Sequence, residues 1–261
     1  DGPMSEEDVY DGSTVGSEKW RHILYGTSGR ADAGDLGTGR FIYALDAPFN
    51  DVTGGKNRIP DASSFLWERS WPDLGYVSNL PSAGQLSADA ENGKVGVANK
   101  WVVLSNSGHY TATGKSGLYV LDAMTGAQIA FIPTTPGVAT GRGLGGVSVV
   151  RDKARRIVAA YAGDAVGNLW RFNLGTTFSA TKIFTTENSR PIYGAPAWQL
   201  ARGGKYSGSF TLNGAGGTST TATQCSSDKR DGKCGTIVVF GTGMMLDEDD
   251  RANSATQAIY G

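Results

Sequence analysis

Residues 117–129, GLYVLDAMTGAQI, decide the fold. Strand alternation puts Tyr119 and Leu121 on one face of an extended segment and Asp122 on the other, at the segment's exit. A short carboxylate there can accept hydrogen bonds from the amides of a following turn. Ala123-Met124-Thr125-Gly126 has the composition of such a turn, with Gly126 able to supply a positive φ, and Gln128 to Ile132 reads as the next strand. The predicted local unit is strand, turn, strand.

The same signature (aromatic, any residue, apolar, then Asp or Asn) recurs at Tyr43-Ala44-Leu45-Asp46 and at Trp170-Arg171-Phe172-Asn173. Upstream of each lies an apolar strand that ends in small residues: Ile23-Leu24-Tyr25-Gly26-Thr27-Ser28-Gly29, Val102-Val103-Leu104-Ser105-Asn106-Ser107-Gly108, and residues 157–163. Residues 237–243, IVVFGTG, fill that slot in a fourth unit. The connection between the two elements is short in GDAVGN (163–168) and longer in SNSGHYTATGKS (105–116). It is longest in GTSGRADAGDLGTG (26–39) and GTGMMLDEDDRANSATQ (241–257).

Constant strands beside elastic connections predict an all-β architecture, a β-propeller, in which each sheet buries both faces against its neighbours. The approximate repeat units are 1–80, 81–140, 141–190 and 191–261, within one propeller region. The chain starts inside a unit at Asp1-Gly2-Pro3 and stops at Gln257-Ala258-Ile259-Tyr260-Gly261, where the fourth unit's next strand is due. The expectation is therefore roughly four blades, a fragment of a larger ring.

Composition agrees. The 38 glycines punctuate short apolar runs, as in chains of many strands and turns. With 24 basic and 25 acidic residues and no basic stripe, the chain offers nothing to a phosphate backbone, so no nucleic-acid partner is expected. Apolar runs fall far short of the roughly 20 residues a membrane helix needs, so no membrane insertion by this region is expected. The opening DGPMSEEDVYDG has neither a basic start nor an apolar stretch, so it shows no export signal.

Few residues carry chemistry. Cys225 and Cys234 stand close together in a polar loop and are the disulfide candidate of an exported protein, two free thiols being the alternative. Closing that loop would contribute about 2.5 to 3 kcal/mol in the chain-entropy account. A zinc site lacks partners, because His22 and His109 have no ligand spacing to the cysteines. Neither histidine has an obvious Ser or Cys partner, and no G-x-S-x-G elbow occurs, so no catalytic or cofactor-binding residue is assigned. Gly214-Ala215-Gly216-Gly217 has no helix after it to cradle a phosphate. Asp247, Glu248, Asp249 and Asp250 read as a solvated acidic loop beside Arg251, while Asp152, Asp164, Asp228 and Asp231 are isolated in sequence. Trp67, Trp71, Trp101, Trp170 and Trp198 are expected to pack between blades, an exposed pair stacking on sugars being the alternative. Residues 203–233 are the expected variable exposed loop.

The order KWVVLSNSGHY, GLYVLDAMTGAQI, YAGDAVGNLWRFNL, RPIYGAPAW and VVFGTGMMLDEDDRANSATQAIYG resembles the C-terminal propeller of the type IV pilus biogenesis and tip-adhesin family, the PilY type. The resemblance covers nearly all of the chain. It implies a quinoprotein-like, modified seven-bladed propeller, exported to the bacterial surface, outer membrane or pilus tip. It also implies a non-enzymatic role in pilus assembly, control of retraction, twitching motility and adhesion, with pilin or minor pilins and a host or abiotic surface as partners. Relatives carry a calcium loop of the form D-x-D-x-D-x-x-x-D just before the YAGD strand. Residues 150–158, VRDKARRIV, retain only Asp152 of it, and Lys153, Arg155 and Arg156 would repel the ion, so a tight turn without metal is expected there. No cofactor is assigned.

Two other readings compete. YVLDAMTG also resembles the repeats of quinoprotein dehydrogenases, but those carry adjacent cysteines over the quinone and a tryptophan after T-G, both missing here. A generic protein-interaction propeller is the other, since fold does not fix function.

Overall fold

The structure is a computed structural model that describes residues 2–12, 19–30, 39–47, 62–87, 100–134, 143–152, 154–174, 178–200, 236–244, 248–251 and 254–261. Four antiparallel sheets follow one another along the chain, each a meander in sequence order. The first holds β1 (Met4–Asp11), β2 (Lys19–Thr27), β3 (Ile42–Asp46) and β4 (Phe65–Arg69). The second holds β5 (Ser82–Gln85), β6 (Trp101–Asn106), β7 (Gly117–Asp122) and β8 (Gln128–Pro133). In the third, β9 (Leu144–Arg151), β10 (Ile157–Asp164), β11 (Asn168–Asn173) and β12 (Ser179–Thr185) repeat the order. The fourth has β13 (Ala197–Leu200), β14 (Thr236–Gly241) and β15 (Ile259–Tyr260). The two sequence signatures are thus the second and third strands of successive sheets.

The second sheet explains why those strands are apolar on both faces. Val102, Leu104, Leu118 and Val120 pack toward the third sheet, in one core with Leu144, Ile157, Ala160, Ala162, Trp170 and Phe172. The alternate residues Val103, Tyr119 and Leu121 pack toward the first sheet, with Val9, Ile23, Tyr25, Ile42, Ala44 and Trp67. Period 2 survives, but each half of it meets a neighbour. Full burial of one such side chain is worth about 1.5 to 3 kcal/mol, so the stacked faces dominate stability. The third sheet meets the fourth through Val150, Ala159 and Tyr161 packed on Trp198 and Val238. First strands also touch first strands (β1 with β5, β5 with β9, β9 with β13), the arrangement of blades fanned round an axis.

The turn after Asp122 is as predicted. Its Oδ1 accepts from the backbone N–H groups of Met124 (3.1 Å) and Thr125 (3.0 Å), and Gly126 has φ 67°. Asp46, at the equivalent exit, does something else: it takes the Arg21 guanidinium at 3.1 Å, and the same guanidinium also holds Asp11 at 3.0 Å.

The small residues that end each second strand are where one blade grips the next. Gly29 bridges Val77, Gly108 bridges Leu144, and the Asp164 carbonyl accepts from the Ile192 N–H at 2.9 Å. Each contact joins a second-strand exit to the entry of the following blade. At Gly108, with φ 72°, a Cβ would collide with the Tyr76 carbonyl, so the backbone crossing needs glycine there. Near the end of the chain, Glu248–Arg251 form a single helical turn, α1, where the sequence suggested a loop.

Candidate functional site

Two aspartate turns and one half-buried ion pair are dense polar arrangements among the described residues. GDAVGN, the shortest of the variable connections, is organised by Asp164, which is fully buried. Its Oδ1 accepts from the N–H groups of Val166 (3.0 Å) and Asn168 (2.9 Å). Oδ2 accepts from Asn168 Nδ2 (2.9 Å) and from the indole N–H of Trp170 (2.8 Å). The carboxylate therefore anchors the turn and also fixes the ring that fills the core between the second and third sheets. Asp164 is isolated in sequence only if the turn is ignored; the spacing Asp, Asn at i+4 and Trp at i+6 is the signal that identifies it.

Asp152, Arg155 and Arg156 close a tight turn between β9 and β10, the Asp152 N–H donating to the Arg156 carbonyl at 2.8 Å and the Arg155 N–H to the Asp152 carbonyl at 3.0 Å. Asp152 Oδ1 accepts from the N–H groups of Ala154 (2.8 Å) and Arg156 (2.9 Å), while Oδ2 faces Arg156 Nε (3.0 Å) and the Ser87 hydroxyl (3.2 Å). Arg156 Nη2 completes the ion pair at 2.9 Å. Burial by itself would raise this carboxyl, but the Arg156 backbone and guanidinium, with Ser87, outweigh it and hold Asp152 below the ordinary carboxylate range. Lys153 lies outside the described residues. Asp152 is thus committed to protein donors, and the cation against it is a guanidinium.

Sequence reasoning missed the neighbour of this turn. Arg151, at the end of β9, reaches past β5 to Glu7 on β1: Nη2 lies 2.6 Å from the Ala83 carbonyl and 3.3 Å from Glu7 Oε2. Nη1 donates to the Arg155 carbonyl at 3.1 Å. The path is open because residue 84 is glycine, where a Cβ would strike the guanidinium. Burial pushes the Glu7 carboxyl up, and Arg151 and Arg155 pull against that shift while Asp8 adds to it. Glu7 sits in an acidic stretch, SEED, and only the strand order reveals which of its acids meets Arg151.

The remaining candidates are scattered. His22 lies between Asp8 (2.9 Å) and Glu6 (3.3 Å) on the face of the first sheet turned away from the second. His109 is buried and stacks on Tyr193, whose hydroxyl meets Ser78 of the second blade's entry segment. Tyr193 belongs to RPIYGAPAW, and its carbonyl accepts from Gly146 N–H at 2.9 Å, so that motif ties the second, third and fourth blades together. Trp67 and Trp170 are buried between sheets, Trp71 and Trp101 pack partly buried against the core that holds Trp67, and Trp198 packs partly buried between the third and fourth sheets. Of the acidic run, Glu248, Asp249 and Asp250 lie in α1 and Asp247 falls outside the described residues. Cys225, Cys234, Asp228, Asp231 and residues 203–233 also lie outside them. Among the described residues no group of three or more His, Cys, Asp or Glu side chains is arranged to hold a metal.

Blades joined through YAGD-x-x-GNLWRF and RPIYGAPAW match one family model, the PilY1 beta-propeller domain, over residues 23–261. The chain belongs to the PilY1 beta-propeller family. Among its relatives is the type IV pilus biogenesis factor PilY1 of Pseudomonas aeruginosa strain PAO1, 29% identical over 265 residues that span 96% of this chain and 20% of that protein. A PilY1 homolog of Xylella fastidiosa is 26% identical over 266 residues, covering 100% of this chain and 17% of the homolog. The crystal structure of the P. aeruginosa PilY1 C-terminal domain superposes with a TM-score of 0.65 at 22% identity, over 99% of this chain and 47% of that one. That likeness supports the all-β propeller fold. The chain spans about a fifth of the length of these curated PilY1 relatives. No helix among the described residues is long and apolar enough to cross a membrane.

Proposed function

We propose that this propeller works as a non-enzymatic module of type IV pilus biogenesis, exported to the cell surface or pilus tip, supporting assembly, control of retraction, twitching and adhesion. The observation that carries the proposal is the alignment of almost the whole chain with proteins named type IV pilus biogenesis factors. Its partners on this reading are pilin or minor pilins and a host or abiotic surface. The side-chain chemistry supports it too: the best-bonded acids, Asp152 and Asp164, spend their oxygens on turns and on Trp170, leaving them no free role toward a substrate.

Removing the coding region from the bacterium that carries it should reduce surface pili, twitching and attachment together. Unchanged pilus number, twitching and attachment would overturn the reading.

We further propose that the Asp152 turn needs no calcium, because Arg156 occupies the position from which a cation would engage the carboxylate. A chelator should then leave the melting temperature within about 1 °C, whereas a site held at 100 times its dissociation constant would contribute about 2.7 kcal/mol.

A further inference from the structure

The geometry points to a proton-tightened clasp between the first and third blades, made by Glu7 of β1 and the Arg151 that reaches it over Gly84 of β5. The donors around the carboxylate decide its behaviour. Asp152 and Asp164 each accept from two backbone N–H groups and from side-chain donors besides. Glu7 accepts from no backbone N–H or hydroxyl among the described residues. Its one donor is Arg151 Nη2 at 3.3 Å, a nitrogen already given to the Ala83 carbonyl at 2.6 Å, while Nη1 serves the Arg155 carbonyl. A half-buried carboxylate with one long, shared donor gains less from its partner than it loses in leaving water.

The charged groups facing Glu7 set the rest of the balance. On β9 and the turn after it, Arg151 and Arg155 favour the ion, and on its own strand Asp8 opposes it. On β2 the Tyr25 phenol, pushed up by burial and then by Glu7 and Asp122, stays neutral, and Ser82–Gln85 of β5 carry no charge. Burial is the largest influence, so the Glu7 carboxyl lies above its ordinary value, the reverse of Asp152. Strand β1 lies against β5. Released from it into water, Glu7 returns to the ordinary value of about 4.3. The docked strand therefore binds the proton more tightly than the released one, and protonation favours docking. The added hold is complete below the ordinary value and is lost as pH rises through the higher docked value. Neither carbonyl bond of Arg151 depends on the Glu7 proton, so the guanidinium stays put while the carboxyl titrates.

Hydrogen exchange of the β1 amides in the full chain, corrected for intrinsic rates, tests the clasp independently of any pilus function. From about pH 7 down to about 4.5, protection of β1 in the parent should rise relative to Glu7→Gln, about tenfold for each unit between the docked and released values. Arg151→Met should begin its rise at higher pH, because the strongest pull on the carboxyl is gone. His22, between Asp8 and Glu6 on the other face of these strands, is the same in parent and Glu7→Gln and cancels in their ratio. The clasp is refuted if that ratio is constant across the range, or if acid loosens β1 more in the parent than in Glu7→Gln. It is refuted equally if Arg151→Met titrates like the parent, or if His22→Gln abolishes the rise and Glu7→Gln does not.

Discussion

Strand β10 is bracketed by two turns that share one plan and differ in surroundings. Before it, Asp152 accepts from the N–H groups of residues i+2 and i+4; after it, Asp164 does the same, and in both the i+4 side chain bonds the second oxygen. In both, the residue at i+3 has a positive φ, 64° at Arg155 and 81° at Gly167, and its N–H returns to the aspartate carbonyl. The last donor differs. Asp152 faces a guanidinium at a partly wet rim, while Asp164 faces neutral amide and indole donors in a dry interior. The same loop geometry can therefore be an exchangeable surface clasp or a fixed part of the core, depending on what the second oxygen meets.

Substitutions can break the comparison, and the largest effect belongs to the buried turn. Asp164→Ala strands two backbone N–H groups, the Asn168 amide and the Trp170 indole, and at about 1 to 3 kcal/mol per orphaned group it should cost about 4 kcal/mol or more, read as a lowered urea midpoint. Next comes Gly167→Ala, whose added methyl would meet Thr186 and the Arg190 carbonyl in a left-handed backbone; about 2 to 3 kcal/mol should be lost in the same assay. Asp152→Ala, at the rim, should cost only about 1 to 2 kcal/mol. Its carboxyl is depressed in the folded state, so its contribution is present above the unfolded carboxylate pKa of about 4 and fades as pH falls through the lower folded value. Thermal melts across acid pH should accordingly lose part of their slope in this variant. Arg155→Gly should act in the opposite direction and stabilise by up to about 1 kcal/mol, because the left-handed i+3 position then carries the residue type its twin already has.

Legibility followed the same division. The second and third strands could be read because both their faces are buried, which writes apolar residues into every position from Val102 to Leu104 and from Leu118 to Leu121. The first strands could not. MSEEDVYD in β1 and SAGQ in β5 are held by neighbouring blades, so their own composition carries little strand signal. The small endings GTSG and SNSG were visible as a repeat, but their purpose, clearance for the next blade's backbone, exists only once blades are side by side. Trp20 escaped notice for a related reason. Nothing in KWRHI separates an indole on a rim from one in a core, and the exposed ring is recognised only through the partners that leave its surface open.

Arg151 reaches past the first strand of the second blade to meet Glu7. Propellers change size by copying and inserting repeats, and most junctions tolerate it because each repeat answers only to its immediate neighbours. Here the first and third repeats answer to each other. A duplicate of the second repeat set between them would separate the two half-buried charges and leave each without its partner, so an insertion there should lower stability more than one at a junction that no such pair spans.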